Sequence, residues 1–322
     1  MRPPDLAPGT ASSVDPAAKQ GSAPLTAEIF LADAADRQDT VKRLMTQADL
    51  RHFSGKTVAL KANFNSADPF PASTHPDTLA AIVTALQEAG TKEIVLAERS
   101  GMGDTQENLE KLGIFDLARR LDFRVIVLDR EPADAWVKIE RGGTHWLRGF
   151  YLAKLFLEAD VVIQTCCLKT HRFGGHFTMS LKNSVGLVAK KLPGGVYDYM
   201  WELHGSPYQR LMIAEINHFY RVDWVVMDAA EAFVSGGPDK GTKVSPGVML
   251  ASADRVAIDA VGAALLRLHG ATSLGRKPIF ELEQIRRAAE LGVGVPSPSA
   301  MELVPLDNRG DEVATAIREL LR

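Results

Sequence analysis

The residues best suited to anion binding and acid–base chemistry are concentrated between positions 168 and 186. Lys169 and His171 end an apolar run, and Thr178 and Lys182 follow after two glycines. Lysine and threonine side chains at a helix N-terminus are typical of carboxylate and phosphate sites, because they donate hydrogen bonds to an anion. Histidine can exchange a proton near neutral pH. We therefore expect Lys169 and Lys182 to hold a small anion and His171 to move a proton.

Lys182 allows two interpretations. Thr178 and Lys182 are four residues apart, so they share one face if this segment is helical, and the apolar residues around them predict partial burial. A partly buried lysine is costly unless a negative group pairs with it. That group is either an anionic ligand or a carboxylate of the protein itself, for which Asp228 and Asp254 are the candidates.

Other polar residues follow other apolar runs, as ligand-binding residues do beyond the carboxyl ends of strands in open α/β sheets. Glu98 and Arg99 follow one such run. The glycine-rich loop at 232–241 can cradle a ligand through its backbone N–H groups. We expect Asp228 to orient the reacting groups or pair with a cation. The predicted catalytic residues are His171, Lys169 and Asp228, and the predicted binding residues are Lys61, Asn63, Thr178, Lys182, Asn183 and Gly237.

A metal site has weaker support in the sequence. His171, His176 and Cys167 are the candidate ligands, but a spacing of five between the histidines differs from the helical pair of zinc proteases. Cys166 and Cys167 are adjacent and are the only two cysteines of the chain. They cannot supply the four thiolates of an iron–sulfur cluster, so we expect no intrinsic cluster. The sequence identifies no cofactor.

Short apolar runs alternate with amphipathic segments along the chain. The first predicted strand lies at 57–60, and the helix after it ends at Gly90. Another helical segment is predicted over 178–190. Apolar strands that alternate with helices favour a mostly parallel sheet covered by helices on both faces. The predicted fold class is therefore α/β. Residues 25–322 are predicted to form a single domain, with 129–150 as the candidate junction if there are two lobes.

Composition limits the classes of partner. The chain has 322 residues and a formal net charge of −3, with no basic bias, so we expect no binding to nucleic acid. No apolar stretch is long enough to span a membrane. Residues 1–24 are rich in Pro, Ala, Ser and Gly and are predicted to be a disordered leader. Two neighbouring cysteines form no disulfide framework, which indicates a reducing, cytoplasmic location.

Together these stretches resemble the bacterial and archaeal family catalogued as domain of unknown function 362. The resemblance covers residues 50–270 and includes the segments 58–63, 93–96, 159–163, 168–171, 178–183 and 250–254, with Gly186, Asp228, Gly236, Gly237, Pro238, Gly241 and Asp259. It implies the α/β fold and the site, but no reaction, because the family has no general assigned activity. Many members carry ferredoxin-type cysteine clusters, and this chain departs from them. The layout of the first half is also similar to the nickel-pincer lactate racemases.

The predicted function is that of an enzyme acting on a small carboxylate or phosphate metabolite, by oxidoreductase, isomerase or lyase chemistry. Redox chemistry would need an external partner, and a homo-oligomer is compatible with the sequence. The alternative is a non-catalytic module that binds a ligand or delivers a metal. Loss of turnover with retained affinity in His171→Ala would favour the enzyme.

Overall fold

A computed structural model describes residues 26–174 and 176–322, so the predicted leader lies outside the described residues. The described residues form a ten-stranded sheet and a separate two-stranded sheet. The strands are β1 (Ala27–Asp33), β2 (Thr57–Lys61), β3 (Glu93–Glu98), β4 (Arg124–Val127), β5 (Trp136–Ile139), β6 (Phe150–Ala153), β7 (Val161–Thr170), β8 (Phe177–Thr178), β9 (Trp224–Gly236), β10 (Gly241–Val244), β11 (Val248–Ser252) and β12 (Met301–Pro305).

Helices connect most of these strands. They are α1 (Arg37–Met45), α2 (Pro76–Glu88), α3 (Thr105–Lys111), α4 (Ile114–Leu121), α5 (Leu155–Glu158), α6 (Ser180–Asn183), α7 (Tyr199–Gly205), α8 (Gln209–Ile216), α9 (Arg255–Leu268), α10 (Glu283–Glu290) and α11 (Asn308–Leu321). Short 3-10 helices lie at Leu50–Phe53, Leu128–Arg130, Ala133–Ala135, Ser184–Leu187, Asn217–Phe219, Ile279–Glu281 and Pro298–Ala300. No helix in the described ranges has the length and apolar character needed to cross a membrane.

The order of the strands creates a crevice at the middle of the large sheet. Its main path runs β12-β1-β11-β9-β7-β2-β3-β4, and the five strands from β9 to β4 are all parallel. The chain leaves β2 toward β3 and β4 on one side and later adds β7 and β9 on the other. This reversal between β2 and β7 is a topological switch point, the place where open α/β sheets bind ligands. β11 is antiparallel to both of its neighbours, and β12 is parallel to β1.

Both faces of the large sheet are covered. Along β9, Val225 and Met227 pack in one apolar cluster with α9, while Trp224 and Val226 pack in another with α1 and α2. Successive side chains of a strand point to opposite faces, so the fully buried part of β9, residues 224–229, must have a layer on each side. The predicted α/β class, with a mostly parallel sheet and helices on both faces, is confirmed.

Local sequence explains several element boundaries. Pro76 occupies the first turn of α2, where a missing N–H costs nothing, and the His75 side chain accepts a hydrogen bond from the N–H of Asp77. Asp254 caps α9 by accepting from Val256 and Ala257. The strand predicted at 57–60 is β2.

The helix predicted over 178–190 is confirmed only for its middle part, 180–187. Thr178 belongs to β8, which pairs with the end of β7, and only Ser180–Asn183 and a 3-10 turn are helical. Antiparallel pairing with the nearby end of β7 takes Phe177–Thr178 out of the predicted helix. Two elements before the first predicted strand, β1 and α1, were not predicted. Part of the candidate junction at 129–150 forms the first strand of the β5–β6 pair.

Candidate functional site

A cleft opens at the switch point of the large sheet, between the carboxyl ends of β2, β3 and β7. It contains a cavity of ≈ 90 Å³, room for several waters or a small ligand. Segments that follow these strands line it, together with α6, the 3-10 turn after it, and α7. The lining includes six predicted residues, namely Lys61, Asn63, His171, Thr178, Lys182 and Asn183.

Lys61 lines the cleft but its ammonium is already engaged. Its Nζ lies 2.7 Å from Glu98 Oε2, 2.5 Å from the carbonyl oxygen of Ala62 and 3.3 Å from Asn183 Oδ1. An ammonium has three protons, and these three acceptors use them all. The Asn183 amide in turn donates to the carbonyl of Thr165. The Lys61 ammonium is therefore fully used in a polar network in the wall of the cleft.

Lys182 differs from Lys61. Its side chain is partly exposed to the cleft and has no hydrogen bond or ion pair with any described residue. Both structural partners considered for it are occupied elsewhere: Asp228 pairs with Arg37, and Asp254 caps α9. Burial, together with the nearby cations Lys169 and Arg99, lowers the pKa of Lys182 to about 7. Near neutral pH this side chain can bind an anion as an ammonium or accept a proton as an amine.

His171 is buried beside the same lysine. Burial lowers its pKa far below the ordinary value, and the cations Lys182 and Lys169 act in the same direction. The imidazole is consequently neutral at physiological pH. Its Nδ1 has no hydrogen-bond partner among the described residues, and neither has Thr178 Oγ1. An anion in the cleft would oppose the surrounding cations and raise the pKa of His171.

A buried carboxylate on another helix fixes the position of α6. Asp259 lies inside α9, and its two oxygens accept hydrogen bonds from the backbone N–H groups of Ser180 (2.8 Å) and Leu181 (3.0 Å). These donors begin the short helix that carries Lys182 and Asn183, so Asp259 acts as its cap. Burial raises the pKa of Asp259 to about 7.

Three predicted site residues do not line the cleft. Lys169 is fully buried, and its Nζ donates to the backbone carbonyls of Pro71 and Ala72. Asp228 accepts from Thr78 Oγ1 (2.7 Å) and Arg37 Nε (3.0 Å), away from the cleft lining.

The third of these residues is Gly237, whose carbonyl accepts from the backbone and side chain of Arg172. At its φ of +63° an added Cβ would lie 2.0 Å from the carbonyl oxygen of Thr170, so this position requires glycine for close packing.

The candidate metal ligands are not grouped. His171 lines the cleft, whereas His176 and Cys167 are not part of its lining. Burial raises the pKa of the Cys167 thiol to about 12, which opposes the thiolate form that binds metals. Across positions 26–174 and 176–322, no three His, Cys, Asp or Glu side chains come together as a metal site.

Comparison with known proteins identifies the family. The model of the family described as "Domain of unknown function (DUF362)" matches residues 58–264. The chain belongs to this family. The match includes every cleft residue named above, and it ends within α9, after Asp259.

Proteins similar to this DUF362 chain include a sequence relative and a solved structure. The "Thylakoid-associated protein sll1697" of Synechocystis sp. (strain ATCC 27184 / PCC 6803 / Kazusa) is 28% identical over 202 residues, which are 62% of this chain and 59% of that protein. The chain thus spans about three fifths of this relative's length. The lactate racemase apoprotein from Thermoanaerobacterium thermosaccharolyticum superposes with a TM-score of 0.41 and 19% identity, over 63% of this chain and 50% of that one. A likeness at this level carries no argument about function.

Several cleft residues are missing from the predicted set. Glu98 and Arg99 are buried at the end of β3, where the strand-end rule points directly to them. Met200 and His204 enter the cleft from α7. The sequence carries no local signal for these two, because α7 reaches the cleft through tertiary packing rather than at a strand end.

Proposed function

We propose that this DUF362 protein binds a small carboxylate or phosphate metabolite in the cleft and acts on it by proton transfer. The observation that supports the proposal most directly is Lys182, which lines the cleft without a partner among the described residues. A cation in such a setting costs free energy, and an anionic ligand would offset that cost. Arg99, whose Nε also has no partner, adds positive charge at the same place.

His171 and Lys182 are the groups that would exchange a proton with the ligand. A neutral imidazole offers one donor and one acceptor nitrogen, and the lowered pKa of Lys182 makes both of its protonation states accessible near pH 7. Isomerases, lyases and oxidoreductases that act on small acids all use such a step, so the proposal covers the three reaction classes.

Isothermal titration calorimetry with glycolate and with inorganic phosphate tests the binding part. We expect the parent protein and Lys92→Met, which replaces an exposed lysine, to bind at least one of these anions. Lys182→Met should lose the binding while keeping the parent's circular dichroism spectrum. Equal binding by Lys182→Met and the parent would contradict the proposal.

A non-catalytic binding module is the second candidate, because the strongly lowered pKa of His171 makes it a weak base in the empty cleft. Incubation with a set of small hydroxy, keto and phosphorylated acids in D₂O separates the two. Proton NMR should show exchange of carbon-bound hydrogen for deuterium with the parent but not with His171→Ala, while His171→Ala still binds the anion. Absence of exchange in the parent, with binding intact, would favour the module.

A further inference from the structure

Unpartnered polar atoms are concentrated in the wall of the cleft. Five buried side-chain atoms without a hydrogen-bond partner among the described residues belong to residues that line this one cavity. The five are Asn63 Oδ1, Glu98 Oε1, Arg99 Nε, His171 Nδ1 and Thr178 Oγ1. Buried polar groups are normally paired, so such a cluster offers hydrogen bonds to a ligand in the cavity.

The cluster contains acceptors as well as donors. Asn63 Oδ1 and, when ionised, Glu98 Oε1 can only accept a hydrogen bond, whereas Arg99 Nε can only donate one. An anion that consists of acceptors alone would satisfy the donors and leave the two acceptors buried and unpaired. The matching ligand therefore carries a hydrogen-bond donor of its own.

The backbone of Asn63 is fixed by hydrogen bonds, whereas its side chain forms none with the described residues. Its backbone N–H donates to Thr74 Oγ1 (2.8 Å), and its carbonyl accepts from the backbone N–H of Thr74 (2.9 Å). Only 6% of the residue is exposed, and no hydrogen bond from its side-chain amide to a described residue is present. Glu98, by contrast, already uses one oxygen in the ion pair with Lys61.

We propose that Asn63 selects anions that carry a hydroxyl beside their negative charge, by accepting the hydrogen bond which that hydroxyl donates. This inference rests on the proposed function, with the charged end of the ligand at Lys182. Hydroxycarboxylates and hydrogen phosphate share the required chemistry. An ammonium is the wrong donor, because the ionisable lining already has three cations (Lys61, Arg99 and Lys182) and one carboxylate (Glu98).

Matched pairs of anions test this selection by calorimetry on the 322-residue chain. Glycolate and acetate differ by one hydroxyl, and hydrogen phosphate and sulfate have the same shape but differ in the proton. We expect the donor-bearing member of at least one pair to bind about tenfold more tightly or better, because the other member leaves a buried acceptor unpaired. The pair that shows the preference identifies the ligand as a carboxylate or a phosphate. Glycine, which has an ammonium in place of the hydroxyl, should bind no better than acetate.

The variant Asn63→Ala assigns the preference to this residue, and Asn308→Ala, an exposed position, is the matched control. Asn63→Ala removes no protein hydrogen bond of the side chain, so we expect it to fold. It should bind the donor-free anion like the parent and lose the preference for the hydroxyl. A preference that survives in Asn63→Ala overturns the assignment. Equal affinities within both pairs overturn the inference but leave the anion site intact, whereas failure of all these anions to bind removes the proposed function with it.

Discussion

Two groups of buried polar residues lie side by side at the carboxyl ends of the strands, and they differ in how completely they are paired. The paired group consists of Lys61 with Glu98 and Asn183, Lys169 with the carbonyls of Pro71 and Ala72, Asp228 with Arg37 and Thr78, and Asp259 with the start of α6. The open group consists of Asn63, His171, Thr178 and Lys182, which line the cleft.

The comparison shows that residue type does not determine whether a buried side chain is paired. Lys61, Lys169 and Lys182 are three lysines in one region of the fold, and only Lys182 lacks a partner among the described residues. Removing one member of a buried ion pair leaves the charge of the other member uncompensated, which is strongly destabilising. An unpaired buried charge lowers the stability of the ligand-free protein, and an anionic ligand would offset that cost.

The largest expected effect is that of Lys61→Met. This change strands the Glu98 carboxylate and should lower the free energy of unfolding by about 3–5 kcal/mol. Urea unfolding at neutral pH measures the loss. The same substitution at Lys182 is the matched control and should cost far less. Equal losses in the two variants would show that the paired and open groups do not differ.

The effect of Lys61→Met should also depend on pH. Burial raises the pKa of Glu98 to about 7 even with Lys61 present, above its ordinary value of 4.5. Without the lysine this folded pKa rises further, so the folded state binds more protons than the unfolded state and stability falls as pH rises from 4.5 through the folded pKa. The destabilisation relative to the parent should be smaller at about pH 5 than at about pH 8. A loss that is independent of pH would argue against a stranded carboxylate.

Gly186→Ala should have an intermediate effect. The new Cβ would lie 2.6 Å from Cε and 2.9 Å from Nζ of Lys61, whose position is fixed by its three acceptors. We expect a loss of about 1–3 kcal/mol in the free energy of unfolding, as for other overpacked cores. Gly142→Ala is the control, because a Cβ there meets no atom within 4 Å. A neutral Gly186→Ala would mean that Lys61 moves freely.

The smallest expected effect is the change of anion affinity with pH. The lowered pKa of Lys182 means that the free protein loses this charge above about pH 7, whereas a bound anion favours the charged form. Glycolate affinity, measured by calorimetry, should therefore fall by up to about tenfold per pH unit above that value. The Asn308→Ala control should show the same slope. A flat profile in the parent would exclude Lys182 as the anion's partner.

The sequence predicts the fold class and much of the cleft, because both follow from patterns along the chain. Apolar runs define the strands, and the strand-end rule brings Lys61, Asn63 and His171 to one place. The partners of the buried charged side chains could not be predicted in the same way. Lys169 donates to the carbonyls of Pro71 and Ala72, which are 98 and 97 positions away in the sequence, and Asp228 forms an ion pair with Arg37. The helical pattern over 178–190 holds for 180–187, but its first residue, Thr178, belongs to β8, which pairs with β7. Contacts between residues far apart in the sequence thus decide which buried polar residues have a partner and which do not.

Urea unfolding of the parent and of Lys182→Met, each with and without inorganic phosphate, tests the central claim most directly. Without ligand, the variant should be as stable as the parent or more stable, since an unpaired buried charge is gone. Phosphate at about 100 times its dissociation constant should add about 2.7 kcal/mol to the parent and nothing to the variant. A variant that loses about 3–5 kcal/mol, as a broken buried pair would, and responds to phosphate as the parent does would contradict the account.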